Sequence, residues 1–228
     1  MQATMRLDIF NKETMNVLNR ALPNNDNYFE RVCVKIGLLI KDSLLGNAFA
    51  LVSLYQLHDE ILNLSACFDD EADKFEGQIE KKNILSLSKV NFVAQYGHDM
   101  PCGNALSCAL YELIEVFDRL ISRLKLLHLS GLLESRAAFY QLKEDHQKKL
   151  NALLSKIIQT PSSKNHSTTV SELIENPDNF NTSQICPHTL KEALDAPYAP
   201  GFSPQVLSNL KYKLKSHISK NNKTCMEV

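Results

Sequence analysis

The sequence contains no tryptophan, and its seven glycines and eight prolines are few for 228 residues. Both residue types interrupt helices, so their scarcity favours long ones. No run of about eighteen uncharged apolar residues occurs, so no membrane span is expected. The opening MQATMRLDIF carries charge early and has no apolar leader, which reads as a cytoplasmic, unprocessed protein. None of the six cysteines, at 33, 67, 102, 108, 186 and 225, forms a C-x-x-C pair. A disulfide framework is not expected in so large a helical chain, and Cys33 and Cys67 read as small hydrophobes within helical patterns. A Walker loop, a G-x-S-x-G turn and an H-E-x-x-H helix are all missing. Binding is therefore expected rather than catalysis, with no cofactor. Neither sign of charge dominates: the formal net charge of −1 neither demands nor forbids a nucleic-acid partner.

What is present is mostly helical period. Hydrophobic residues make up 44% of the chain, enough for a core. Residues 4–10, TMRLDIF, alternate instead: Met5, Leu7 and Ile9 fall on one face, and Thr4, Arg6, Asp8 and Phe10 on the other. That pattern predicts a short half-buried strand. Its backbone needs a partner. With no other convincing strand nearby, the expected partner is the same strand of a second copy. Residues 12–22 read as a helix capped by Asn11, with Glu13 placed well for the helix dipole. Residues 23–27 are a turn by composition. Helices follow at 28–45 and 48–76, separated by Gly46-Asn47. Residues 84–104 lose the helical period and read as an extended segment over the core. Helices at 105–129 and 133–158 flank Gly131 and are expected to pack antiparallel. Residues 160–169 read as a linker, followed by short helices near 188–195 and 204–220.

Several clusters invite a chemical reading. His98, Cys102 and Cys108 lie close in sequence, as do Cys186 and His188, but zinc needs about four ligands at suitable spacing and neither group supplies them. His128 and His146 are expected to be exposed or hydrogen-bonded. The acids Asp69, Asp70, Glu71, Asp73 and Glu76 read as a solvated helix end rather than an acid–base pair. Lys211, Lys213, Lys215, Lys220 and Lys223 form a basic tail that could touch phosphates or simply be solvated.

The order strand, helix, turn, helix is that of the ribbon-helix-helix DNA-binding module, in which strands of two subunits form an antiparallel ribbon for the major groove. On this reading Met5, Leu7 and Ile9 pack inward. Thr4, Arg6 and Asp8 face base edges, where arginine suits guanine. The start of the second helix offers N–H groups to a phosphate, helped by Asn25 and Asn27. The expected fold is mainly α: a ribbon-helix-helix-like β-α-α segment over 1–47, an antiparallel bundle of long helices over 48–158, and a linker with a polar C-terminal region over 159–228. The expected partners are double-stranded DNA and a second copy, as a homodimer through the N-terminal strand, with no membrane. The alternative is a helical adaptor or scaffold, for which the long amphipathic helices would dock a partner.

Two stretches carry a family resemblance. One is FERVCVKIGLLIKDSLLGNAFALVSLYQLHDEILNLSACFDDEADKF, residues 29–75; the other is LYELIEVFDRLISRLKLLHLSGLLESR, residues 110–136. In the second, an aromatic-Asp-x-Leu step, Phe117-Asp118-Arg119-Leu120, is followed by Gly131-Leu132-Leu133. With these, residues 5–158 resemble the integrating-conjugative-element protein family that includes AcaB-type transcriptional activators of conjugative plasmids. The resemblance implies a ribbon-helix-helix fold and regulation of genes for horizontal transfer. It implies no catalytic residues.

Overall fold

The structure, a computed structural model, describes residues 4–20, 27–81, 90, 92–94, 96–161, 167–176, 179–180 and 185–224, the side chains of 98, 101 and 219–224 excepted. It is mainly α. In chain order the elements are β1 (Thr4–Ile9), α1 (Lys12–Leu18), α2 (Tyr28–Leu44), α3 (Ala48–Lys81), β2 (Tyr96–Pro101), α4 (Ala105–Leu129), α5 (Arg136–Gln159), α6 (Val170–Glu175), α7 (Pro187–Ala193) and α8 (Pro204–Thr224). The chain divides into two compact units, Met1–Cys33 with His58–Ile158, and Val34–Leu57 with Gln159–Val228.

Helix α4 organises the first unit. Asn104 caps it by accepting the Ser107 backbone N–H at 2.8 Å, and Gly131, at φ +68°, turns the chain beyond it. Leucine, isoleucine and phenylalanine side chains at three- and four-residue steps from Leu106 to Leu127 are fully buried. Phe117 meets Phe68 of α3 at 5.6 Å between ring centroids. His128, in the last turn of α4, stacks on Phe139 in the first turn of α5 at 4.7 Å between ring centroids.

The predicted strand forms, but its described partner corrects the expectation. β1 pairs antiparallel with β2 of its own chain, Thr4 with Pro101 through Ile9 with Tyr96. β2 has no alternating apolar pattern and holds Gly97, so only its long-range partner reveals it. Leu7 and Ile9 are 0% exposed beneath this ribbon.

Asn11 also departs from expectation. It stands at the N-cap of α1 without a side-chain cap bond. Its amide nitrogen donates instead to the Asp118 carbonyl at 2.8 Å and to Ser122 Oγ at 2.7 Å, both on α4. The Asp118 carboxylate, on a residue only 2% exposed, accepts the backbone N–H of Phe10 at 2.9 Å and that of Asn11 at 3.1 Å. Lys125 Nζ completes the cluster, donating to Asn11 Oδ1 at 2.9 Å and to Glu13 Oε2 at 2.7 Å. Burial is the largest single influence on the Glu13 carboxyl and raises it, but the Lys125 bond, a backbone hydrogen bond and the charges of Lys125 and Lys143 together hold it below its ordinary value.

The acidic run on α3 is paired rather than merely solvated. Arg119 of α4 bonds Asp69 and stands 3.7 Å from Asp73, and Arg123 meets Glu76 at 3.0 Å. Glu71 Oε2 lies 3.1 Å from His146 Nδ1 without hydrogen-bond alignment. His146 is 3% exposed and edge-on to Phe68, so it is a buried group, not the exposed or hydrogen-bonded one expected. Burial depresses its pKa, and Glu71 opposes the shift.

The second unit is tied by a backbone bridge between Asn47 and Thr169, with Val170 N–H donating to Gly46 O at 2.9 Å. Gly46, at φ +91°, ends α2 as expected. Thr169 and Glu172 form a capping box on α6. Ser43 Oγ donates to the Tyr198 carbonyl at 2.8 Å, and Phe180 stacks on His217 at 5.3 Å.

Replacing Asp118 by alanine strands two N–H donors, that of Asn11 buried and that of Phe10 part-buried, and an unmet buried donor costs roughly 1–3 kcal/mol. Asp118→Ala is expected to lose about 3 kcal/mol in urea unfolding and Asp118→Asn, which keeps one acceptor, about half of that. Equal, small losses in both would show that the carboxylate is not the anchor.

Candidate nucleic-acid interface

The outward face of the ribbon is built from both strands. Thr4, Arg6 and Asp8 of β1 stand opposite Pro101, Asp99 and Gly97 of β2. Thr4, Arg6 and Asp8 are exposed, as the alternation requires. The Arg6 side chain, 65% exposed, donates from Nε to Asp8 Oδ1 at 3.1 Å. Its guanidinium lies over Gly97, where a Cβ would stand 2.7 Å from one of its terminal nitrogens. A Cβ there would displace the far end of the exposed Arg6 side chain. The face holds one cation, Arg6, and two carboxylates, Asp8 and the exposed Asp99. Sequence reasoning missed Asp99 and Gly97 because it did not find β2.

The other predicted contacts lie elsewhere. Asn27 precedes α2, and its Oδ1 accepts the backbone N–H of Phe29 at 2.9 Å and of Glu30 at 3.3 Å. It therefore caps its own helix, using two of the N–H groups that the sequence pattern offers to a phosphate. Asn25 lies outside the described residues. Of the basic tail, Lys211 pairs with Asp195, and the side chains of Lys220 and Lys223 lie outside the described ones. Among the described residues no group of three or more histidine, cysteine or acidic side chains could hold a metal ion. No helix among them is long and apolar enough to cross a membrane.

At the Ile9 end of the ribbon, Asp8, Phe10 and Phe92 meet Glu115, Arg119 and Arg123 of α4 around a cleft of about 380 Å³. The Glu115 carboxyl is pushed up by burial and by the neighbouring carboxylates of Glu112 and Asp8. The cleft brings Asp8 of the ribbon face beside Glu115 and Asp118 of α4. Its arginines, Arg119 and Arg123, are engaged by the acids of α3.

No family profile and no characterised protein sequence matches the chain. Among solved structures, the crystal structure of selenomethionine-containing AcaB from uropathogenic E. coli is similar, with a TM-score of 0.45 at 16% sequence identity. The match covers 94% of this chain and 97% of that one.

The folded protein holds the Glu115 proton more tightly than the unfolded chain does. That contribution favours folding below the ordinary carboxylate range and is lost as pH rises through the raised pKa. Glu115→Gln cannot ionise, so it is expected to be more stable than the wild type at neutral pH. The gain should vanish near pH 4, where a carboxyl is largely protonated in either state (about 4.3 is the ordinary value). Urea midpoints at the two pH values read this; a gap independent of pH would remove the electrostatic cause.

Proposed function

We propose that the protein is a DNA-binding transcriptional regulator of a bacterial conjugative or integrative mobile element, and that its β1–β2 ribbon meets double-stranded DNA. One observation carries the reading: an antiparallel two-stranded ribbon, floored by fully buried Leu7 and Ile9, projects Thr4 and Arg6 into solvent. The major groove admits an object of that size, and an arginine fork matches the O6 and N7 acceptors of guanine. The mobile-element part draws on the family resemblance of residues 29–75 and 110–136.

Charge sets the character of such binding. Asp8 and Asp99 oppose phosphate, so the ribbon face supplies specificity rather than bulk affinity. On contact, Arg6 exchanges Asp8 for a base edge. A homodimer through the N-terminal strand, the form proposed here, must use the edge of β1 that β2 does not occupy.

A second reading, a helical adaptor or scaffold for a conjugation or secretion system, is favoured by α2. Val34, Leu38 and Leu45 are exposed at helical spacing along and just past one face of it.

Fluorescence anisotropy on random and selected duplexes across a salt series separates the two. The regulator is expected to lose affinity as salt rises, by about 0.9 log units per log unit of salt for each phosphate contact. Arg6→Ala should abolish sequence preference while keeping binding to random DNA. Asp8→Asn, which frees Arg6, should tighten binding. Failure of the folded wild type to bind any duplex at low salt would sink the regulator and leave the adaptor; light scattering on the same sample reads the dimer.

A further inference from the structure

The ribbon is fastened to α4 at its two ends by different chemistry. At the end of β1, the Asp118 carboxylate holds the backbone of Phe10 and Asn11. At the other end, Thr4 pairs with Pro101, and the next residue, Cys102, is joined by a disulfide to Cys108 in the first turn of α4, with Cα atoms 5.8 Å apart. The sequence reading did not expect this bond. Cys108 and Asp118 are ten residues apart on one helix, about 15 Å along its axis, while the five steps from Thr4 to Ile9 span roughly 17 Å. The two fastenings therefore match the length of the strand they hold.

One is a pair of hydrogen bonds and the other a covalent bond between two thiols. Among the described cysteines Cys33, Cys67 and Cys186 are free, so this single short-loop bond is no framework holding the fold together. Both of its residues are half-buried, within reach of a small thiol reagent. Cys108 lies in the first turn of α4. Cys33, by contrast, has its thiol pushed up to about 11 by burial and is a poor nucleophile.

We propose that Cys102 and Cys108 form a reversible thiol–disulfide site whose reaction partner is a small-molecule disulfide, and that its state sets how firmly the Thr4–Pro101 end of the ribbon is held. In the forward direction the Cys108 thiolate attacks one sulfur of the small disulfide. That S–S bond breaks, one small thiolate leaves, and a mixed disulfide forms on Cys108. Cys102, its proton lost to solvent, attacks the Cys108 sulfur and expels the second small thiolate. Two protein thiols are oxidised, one small disulfide is reduced to two thiols, and the released protons end on those thiols. Excess small thiol runs the same steps backward. The inference does not use DNA binding and stands or falls apart from it.

The test uses the full chain in buffers of varied reduced-to-oxidised glutathione ratio, quenched by alkylation and read by peptide mass spectrometry. A Cys186→Ser chain is run in parallel, because Cys186 is exposed and its thiol is lowered by the Thr189 backbone N–H. Cys102 and Cys108 are expected to lose and regain alkylation together as the ratio is swung. Hydrogen exchange at residues 4–9 and 96–101 should be about tenfold or more faster in the reduced form, as for loss of a short cross-link. Cys108→Ser should match the reduced wild type and ignore the buffer; Cys67→Ser should respond like the wild type. The proposal is overturned if both thiols stay alkylatable at every ratio, or if the bond forms but resists excess reduced glutathione. It is equally overturned if ribbon exchange is the same in both forms; because the wild type is compared with itself, a variant that fails to fold cannot blur that result.

Discussion

A buried carboxylate is the constraint on which the N-terminal half of the first unit depends. Asp118 lies on the apolar face of α4, directly after Phe117, where a charge is costly unless its lone pairs are met. They are met by the backbone of the chain leaving β1. The position of that strand on the helix is thereby fixed to within a hydrogen bond, and Leu7 and Ile9 are directed into the core. Asn11, Ser122 and Lys125 satisfy the groups around it, so the polar cluster is a connected one, which makes it specific rather than merely tolerated.

The same helix reaches the other way with charge. Arg119 and Arg123, four residues apart, face the acids of α3 one and two turns along. An apolar stripe inward and a basic pair toward α3 give α4 two separate means of fixing its neighbours. Exposed pairs of this kind add little energy.

Much of this was legible in the sequence, and the reason is periodicity. Helix α4 was readable to its ends because Asn104 and Gly131 punctuate an unbroken apolar stripe. β1 was readable because Leu7 and Ile9 alternate with Arg6 and Asp8. What failed were the features whose cause lies far along the chain. β2, YGHDMP, alternates nothing and owes its conformation to β1. Asn11 has the side chain of a cap and was read as one, whereas its partners are more than a hundred residues away. The α3 acids look solvated until Arg119 and Arg123 are placed beside them. Asp118 stood within the Phe117–Leu120 step of the family resemblance, yet its role needed the Phe10 amide to be seen. Of the candidate site, the exposed face of β1 was legible, but the acids and the glycine that share that face came from β2 and were not.

The ladder joins the start of the chain to a segment that follows α3. During synthesis Leu7 and Ile9 leave the ribosome long before Tyr96–Pro101 has been made, and before the aspartate that will hold them exists. Until then these apolar side chains and the strand's unpaired amides stay open to the solvent or to a chaperone. The helices between them can form on their own in microseconds, so in the nascent protein the ribbon waits on translation rather than on folding.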